Sequence, residues 1–325
     1  MAHPIHEANE HSPFGDLTKE QFCQKHRVLN RESFFINRRG MKIFTQTWQP
    51  RPASSHPLRG LVAMIHGYTT ETSSVFQLTA VAIAKLGFYA CALDLPGHGY
   101  SEGQRGHVPD INAAVDDCIQ FFDAVRAEHQ LPAFLYGESL GGAIATLVSL
   151  RQKKEWSGLI LNGAMCGISP EFLPPWPLTE LLPVVAFLLP SWRVVITRSL
   201  WDSSFKEVWK RKLVAGGPNR PWSTRPTCGT AREMVRVCEE IRRRSCEVEM
   251  PLLVLHGEDD VVCDERSARM VYQGARAEDK TMVVFPGMWH QLIGEPEEGV
   301  EKAFGVIFAW LQHRADKFSG RNING

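Results

Sequence analysis

Gly137-Glu138-Ser139-Leu140-Gly141 is the stretch on which the reading of this chain turns. It follows an apolar run, Ala133 to Tyr136, and precedes a small-residue helical pattern from Gly142 to Leu150. A strand, a tight turn and a helix in that order form the context of a G-x-S-x-G nucleophile elbow, in which the turn pushes one side chain out over the sheet edge. That side chain is Ser139. The flanking glycines let strand and helix backbones pass closely at a strained residue. Read alone, the pentapeptide is also an ordinary glycine-rich turn that contains a serine, so the rest of the chain has to supply its partners.

Upstream, Leu61-Val62-Ala63-Met64-Ile65 is continuously apolar, as befits a strand buried on both faces. It ends in His66-Gly67-Tyr68-Thr69, where a glycine leaves the following N–H groups free to face the crevice above the sheet. The amides of Tyr68 and Leu140 are therefore the expected oxyanion donors, and His66 is expected to brace the loop. A helix over Ser73–Leu86 and a strand over Phe88–Leu93 follow. Asp94 and His98 then sit four residues apart in a Pro/Gly turn, where local side-chain to backbone bonds are the expected role. Pro109 opens a helix reaching about His129, with Asp110 favouring its N-terminus. Ser157–Leu161 is another buried strand after the elbow helix. The βαβαβ alternation predicts an α/β fold with a mostly parallel sheet covered on both faces.

Composition sets bounds. The chain has 325 residues, 44% of them hydrophobic, with 36 basic and 36 acidic side chains, so charge gives no case for nucleic acid or an acidic partner. Eight scattered cysteines without C-x-x-C spacing predict reduced, mostly buried thiols and a cytoplasmic protein, peripheral to membranes at most. Residues 1–30 lack an apolar signal core and read as a flexible arm, with a short helix over Leu17–Val28. Two strands, Ser33–Asn37 and Met41–Trp48, form a hairpin edge joined by Arg38-Arg39-Gly40, and Gln49–Arg59 with its prolines is a loop.

The alternation breaks over residues 166–248, which contain Phe172-Leu173-Pro174-Pro175-Trp176-Pro177 and the apolar run Leu178–Leu189. Pro183, Glu180 and the run's short length argue against a membrane span. The segment reads as a helical cap inserted between core segments 31–165 and 249–325. Its apolar residues, Trp176 and Leu178 among them, either line an acyl pocket and touch a lipid surface or simply glue the cap to the core. Arg232–Arg244 is its charged return helix.

Strand patterning resumes at Leu252–Leu255, followed by His256-Gly257-Glu258-Asp259-Asp260. An acid just beyond a late strand fits a Ser…Asp…His chain order. Asp259, Asp260 and Asp264 compete; Asp260 precedes Val261-Val262 and can turn inward, whereas Asp264 suits a helix cap. After the last strand, Lys280–Phe285, the loop Pro286-Gly287-Met288-Trp289-His290 places His290 as the general base. Cys263, close to the acid in sequence, reads as a buried bystander.

Ile65-His66-Gly67-Tyr68, Asp94-Leu95-Pro96-Gly97-His98-Gly99 with Ser101, the elbow, His256-Gly257 with Asp260, and Gly287-Met288-Trp289-His290 with Gly294-Glu295-Pro296 together resemble the plant monoacylglycerol lipase family. This is the lysophospholipase-like branch of the α/β-hydrolases that includes the caffeoylshikimate esterases. The resemblance runs from about Glu32 to Leu311. It implies an α/β-hydrolase fold with an inserted cap, a triad of Ser139, Asp260 and His290, and oxyanion donors at Tyr68 and Leu140. Glu71 is the candidate glycerol-facing acid, although the animal lipases place theirs slightly differently. The implied reaction is acyl transfer through an acyl-serine, with no metal or organic cofactor. Three functions stay open: a hydrolase of monoacyl lipid esters such as monoacylglycerol or lysophospholipid; an esterase on small phenolic esters, or an acyltransferase, with the same triad; and a non-catalytic ligand receptor. Oligomeric state is not legible.

Overall fold

A computed structural model of the chain describes residues 2–51, 57–173, 176–194, 198–217, 219 and 223–318. Pro52, Pro174 and Pro175, assigned above to the loop and the cap, lie outside the described residues. Eight strands form one sheet: β1 (Val28–Ile36), β2 (Lys42–Pro50), β3 (Leu61–Ile65), β4 (Tyr89–Leu93), β5 (Ala133–Glu138), β6 (Gly158–Asn162), β7 (Leu252–Gly257) and β8 (Lys280–Phe285). Their order is β1-β2-β4-β3-β5-β6-β7-β8. The hairpin β1/β2 and the β2/β4 pair are antiparallel, and the remaining pairs are parallel.

Among the described residues ten α-helices accompany the sheet: α1 (Lys19–Lys25), α2 (Phe76–Lys85), α3 (Ile111–His129), α4 (Leu140–Arg151), α5 (Leu178–Leu188), α6 (Leu200–Ser204), α7 (Val208–Gly216), α8 (Cys228–Arg244), α9 (Glu265–Gly274) and α10 (Glu297–Phe318). The central strands are buried at every position because each face of the sheet is covered. Leu61, Ala63 and Ile65 pack with α3, α4 and α8 side chains such as Val115, Ile144 and Val237. Their neighbours Val62 and Met64 pack on the other face with Phe76, Val81, Phe304 and Ile307 of α2 and α10. This double burial is why the strands read as runs and not as alternations.

Between β6 and β7 the described residues contain α5 to α8 and no strand of the sheet. The start of this insertion is stitched to the β7–α9 loop: Ser169 N donates to Val262 O at 3.0 Å, Asp264 N donates to Gly167 O at 3.0 Å, and Ile168 bridges Cys263. Farther on, the insertion holds the β8–α10 loop, since Lys210 Nζ donates to Ile293 O at 2.8 Å and also to Glu295 O at 2.5 Å.

The N-terminal segment differs from the arm expected above. His3 and Ile5 are buried, the His3 amide donates to Glu301 Oε1 of α10 at 2.6 Å, and Thr18 caps α1 in a capping box with Gln21. Phe22 is wholly buried, with Phe14 and Leu17 packed beside it. These apolar side chains lie among polar neighbours, so the segment looks solvated in sequence while one side of it completes the α2/α10 face.

Candidate active site

The elbow takes the strained backbone that its sequence calls for. Ser139 has φ 51° and ψ −120°, directly between β5 and α4. A Cβ at Gly137 would stand 2.4 Å from Gly141 O, and one at Gly141 would stand 2.1 Å from Ile65 O and 2.6 Å from His66 O. Helix, elbow strand and the end of β3 therefore meet backbone to backbone, at a distance no other residue allows.

Ser139, His290 and Asp260 come together from three separate loops. The Ser139 hydroxyl lies 2.8 Å from His290 Nε2, and His290 Nδ1 lies 2.7 Å from Asp260 Oδ2. Asp260 turns inward with its side chain fully buried, while Glu258 and Asp259 are exposed. Its Oδ1 accepts the amides of Val262 (2.8 Å) and Cys263 (2.9 Å). Burial alone would raise this carboxyl. The charge of His290 and the hydrogen bonds from His256 and His290 outweigh it and hold the group well below the usual carboxylate range. Asp264 instead caps α9 through the Ser267 amide. The His290 loop is fixed on both sides: Trp289 N donates to Glu295 Oε1 at 2.6 Å, and Gln291 N donates to Ser204 O at 2.9 Å.

Gly67 brings the β3 loop against the elbow, since a Cβ there would stand 3.1 Å from Ser139 Cβ. Among the described residues, the amides of Tyr68 and Leu140 donate to no protein acceptor. His66 braces this loop. Its Nε2 accepts the Leu95 amide at 3.0 Å and its Nδ1 lies 2.8 Å from Gly67 O, which makes it the neutral Nδ1–H tautomer. Burial lowers its pKa to about 4. Asp94 accepts the amides of Thr72 and Tyr100, and His98 Nδ1 donates to Pro96 O, so this pair does local work.

The cavity that reaches Ser139 is narrow, about 80 Å³. Met165, Phe172, Leu182, Leu200 and Met234 are among its apolar walls, and Arg198 and Arg225 also line it. Three residues singled out from the sequence do not. Trp176 (82% exposed) and Leu178 (44%) point away on the outer side of the insertion, while Leu182, one turn on from Leu178, faces the cavity. Glu71 is buried against its own loop, its Oε2 accepting the Ser73 amide at 3.0 Å. Burial, with the charge of Asp94 added, pushes it up to about 7.

Cys263 is buried as expected and also lines the cavity beside Ser139. Its sulfur and the donor atoms of Asp260 and His290 lie within 4.8 Å of one another, the grouping with metal-ligand chemistry among the described residues. Burial pushes the thiol well above its ordinary range, and the acid and imidazole are engaged with each other.

His256 was quoted from the sequence as part of a motif but was given no role. Its wholly buried ring places Nε2 3.1 Å from Asp260 Oδ2 and 3.2 Å from Cys263 O. Burial opposes a charge there, but the hydrogen bond and charge of Asp260 outweigh it and the pKa is raised. The available signal was a histidine at a strand end four residues before the acid.

Comparison with known proteins gives one picture. The chain is 29% identical to a caffeoylshikimate esterase of Arabidopsis thaliana over 95% of this chain and 93% of the relative. It is 28% identical to a monoglyceride lipase of Mus musculus over 86% of this chain and 89% of the relative. A soluble variant of the Saccharomyces cerevisiae monoglyceride lipase, solved with a substrate analog, superposes with a TM-score of 0.76 at 20% identity, covering 87% of this chain and 94% of that one, a likeness of fold. Residues 56–297 match the family model described as serine aminopeptidase, S33, and the chain belongs to that family of α/β-hydrolases.

Proposed function

We propose that this hydrolase cleaves the carboxylic ester of monoacyl lipids through an acyl-serine formed on Ser139. The observation that carries the reading is an apolar cavity that opens onto a serine hydrogen-bonded to a histidine, itself bonded to a buried carboxylate. His290 takes the Ser139 proton as the hydroxyl attacks the ester carbonyl, then returns it to the departing alcohol; water repeats the sequence to release the acid. Asp260 holds the imidazole in the Nδ1–H form and stabilises the imidazolium without taking its proton. The Tyr68 and Leu140 amides receive the oxyanion.

The cavity also bears on the acyl side of the substrate. Its described lining contains no acid and is mostly apolar, with Arg198 ion-paired to Glu171, so it offers no partner to a free α-ammonium, whereas an acyl chain meets apolar wall. Leu181, Val184, Phe187 and Leu188 are exposed on the outer side of α5, with Trp192 just beyond it. They form an apolar surface suited to transient contact with the lipid that supplies the substrate. A small phenolic ester is the second reading, supported by the similarity to the Arabidopsis esterase over nearly the whole chain.

Turnover of a panel of short and long monoacylglycerols, lysophospholipid and caffeoylshikimate by wild type and Ser139→Ala separates these readings. The lipid reading expects Ser139-dependent kcat/KM that rises with acyl length, each buried methylene contributing about 0.8 kcal/mol. Preference for the phenolic ester moves the substrate and keeps the residues. Substantial turnover by Ser139→Ala sinks the mechanism, and no turnover by the wild type leaves a ligand receptor.

A further inference from the structure

Asp260 is held by more than the base it serves. Its Oδ1 is saturated by two backbone amides, and its Oδ2 faces two imidazoles, His290 at 2.7 Å and His256 at 3.1 Å. His256 lies at the end of β7, wholly buried, and its other nitrogen, Nδ1, has no partner among the described residues. A ring with nothing to accept from at Nδ1 carries its proton on Nε2, which lies between Asp260 Oδ2 and Cys263 O. Whether or not Nδ1 takes up a second proton, Nε2–H remains the donor to Oδ2.

We propose that His256 is a positioning residue for the ester hydrolysis, sharing Oδ2 of Asp260 with His290 and so limiting how tightly the acid grips the base. This rests on the catalytic roles assigned above. A carboxylate oxygen that accepts two donors offers less charge to each. His256 thus fixes the acid through the same oxygen that the base uses and weakens the hold of Asp260 on protonated His290, so that the imidazole gives its proton back more readily. Other titratable groups facing this cluster are Cys263, buried beside it, Glu138 behind the elbow, which burial raises to about 7, and Glu265, which acts on His256 from the start of α9.

The test compares wild type with His256→Leu, His256→Gln and His256→Asn, using kcat/KM for a water-soluble ester from about pH 5 to about pH 9. Glutamine places an amide N–H near the position of Nε2, whereas asparagine falls short of Asp260 and leucine has no donor. Without the donor, Oδ2 serves His290 alone, protonated His290 is held more tightly, and a higher pH is needed to free the base. The acid limb of the profile should move upward by about one unit in His256→Leu and His256→Asn. His256→Gln should restore the wild-type limb. Glu138, Cys263 and Glu265 are common to all four proteins, so their contributions cancel in the comparison.

A folded His256→Leu whose limb coincides with the wild type would overturn the proposal, as would equal shifts in all three variants, which would point to ring shape and not to the donor. If leucine prevents folding, the Gln/Asn contrast still decides. Failure of the catalytic reading looks different, because Ser139→Ala would then stay active whatever residue 256 is.

Discussion

Replacing Gly141 by alanine tests whether the contact between α4 and β3 sets the distance between the two oxyanion amides. The added Cβ would sit 2.1 Å from Ile65 O and 2.6 Å from His66 O, both backbone atoms that no rotamer change can move. Reaching an ordinary contact takes a displacement of about 1 Å. Because β3 is hydrogen-bonded to β4 on one side and β5 on the other, the first turn of α4 or the 65–68 loop must give way. Either movement separates the amides of Leu140 and Tyr68. Overpacking of this kind costs about 1–3 kcal/mol, or several degrees in Tm. A donor displaced by about 1 Å from a developing oxyanion costs about 100-fold in kcat. KM should change little, since the lost interaction belongs to the transition state. The assay is steady-state turnover of a soluble ester, with thermal unfolding in parallel. Gly305→Ala on α10 is the control: its position is exposed, its Cβ would meet nothing within 4 Å, and kcat should hold while stability rises by about 0.5–1 kcal/mol. Wild-type kcat in a folded Gly141→Ala protein would refute the reasoning.

Two other outcomes follow from buried acid and exposed apolar surface. Glu71 has an ordinary value of 4.5 and a folded value of about 7, so between these the unfolded chain has released a proton that the folded chain keeps. Wild-type stability should therefore fall as pH rises through that window, and Glu71→Gln should gain on it progressively, by up to about 3 kcal/mol above pH 7. A Tm difference that does not change with pH would contradict this. The double variant Phe187→Ser/Leu188→Ser should lose about ten-fold or more in co-sedimentation with phosphatidylcholine vesicles while still turning over a soluble ester; unchanged vesicle binding would remove α5 as the contact surface.

The strand–elbow–helix core was readable because each local signal agreed with the others: an apolar run, two glycines and a serine admit few backbones. Asp260 was readable for a similar reason, since the valines after it demand that the loop turn inward. The outer side of α5 was not. Leu178–Leu188 is so apolar that sequence alone cannot tell the cavity-facing Leu182 from the exposed Leu181, and Trp176 and Leu178 were assigned to the wrong side. Glu71 was misplaced because its role depends on whether its short loop folds toward the cavity or back on Ser73. His256 was given no role because its partner is chosen by loop closure between residues 257 and 263, a matter of three-dimensional contact that no periodicity records. The docking of His3, whose ring lies 4.5 Å from that of Phe304, depends likewise on a helix some three hundred residues away.

The backbone stitches between residues 167–169 and 262–264 bear on how pockets could be exchanged among relatives. Chain between β6 and β7 is topologically one insertion, yet its first residues share hydrogen bonds with the loop that carries Asp260. A transplant cut at the end of β6 would replace one half of those bonds and leave the other half unmatched, disturbing the acid although no triad residue had been touched. The exchangeable module therefore begins after Ser169, and a recombination boundary placed there keeps the bonds of the Asp260 loop, provided that the incoming segment also preserves the Ser204 and Lys210 contacts that hold the loop of His290.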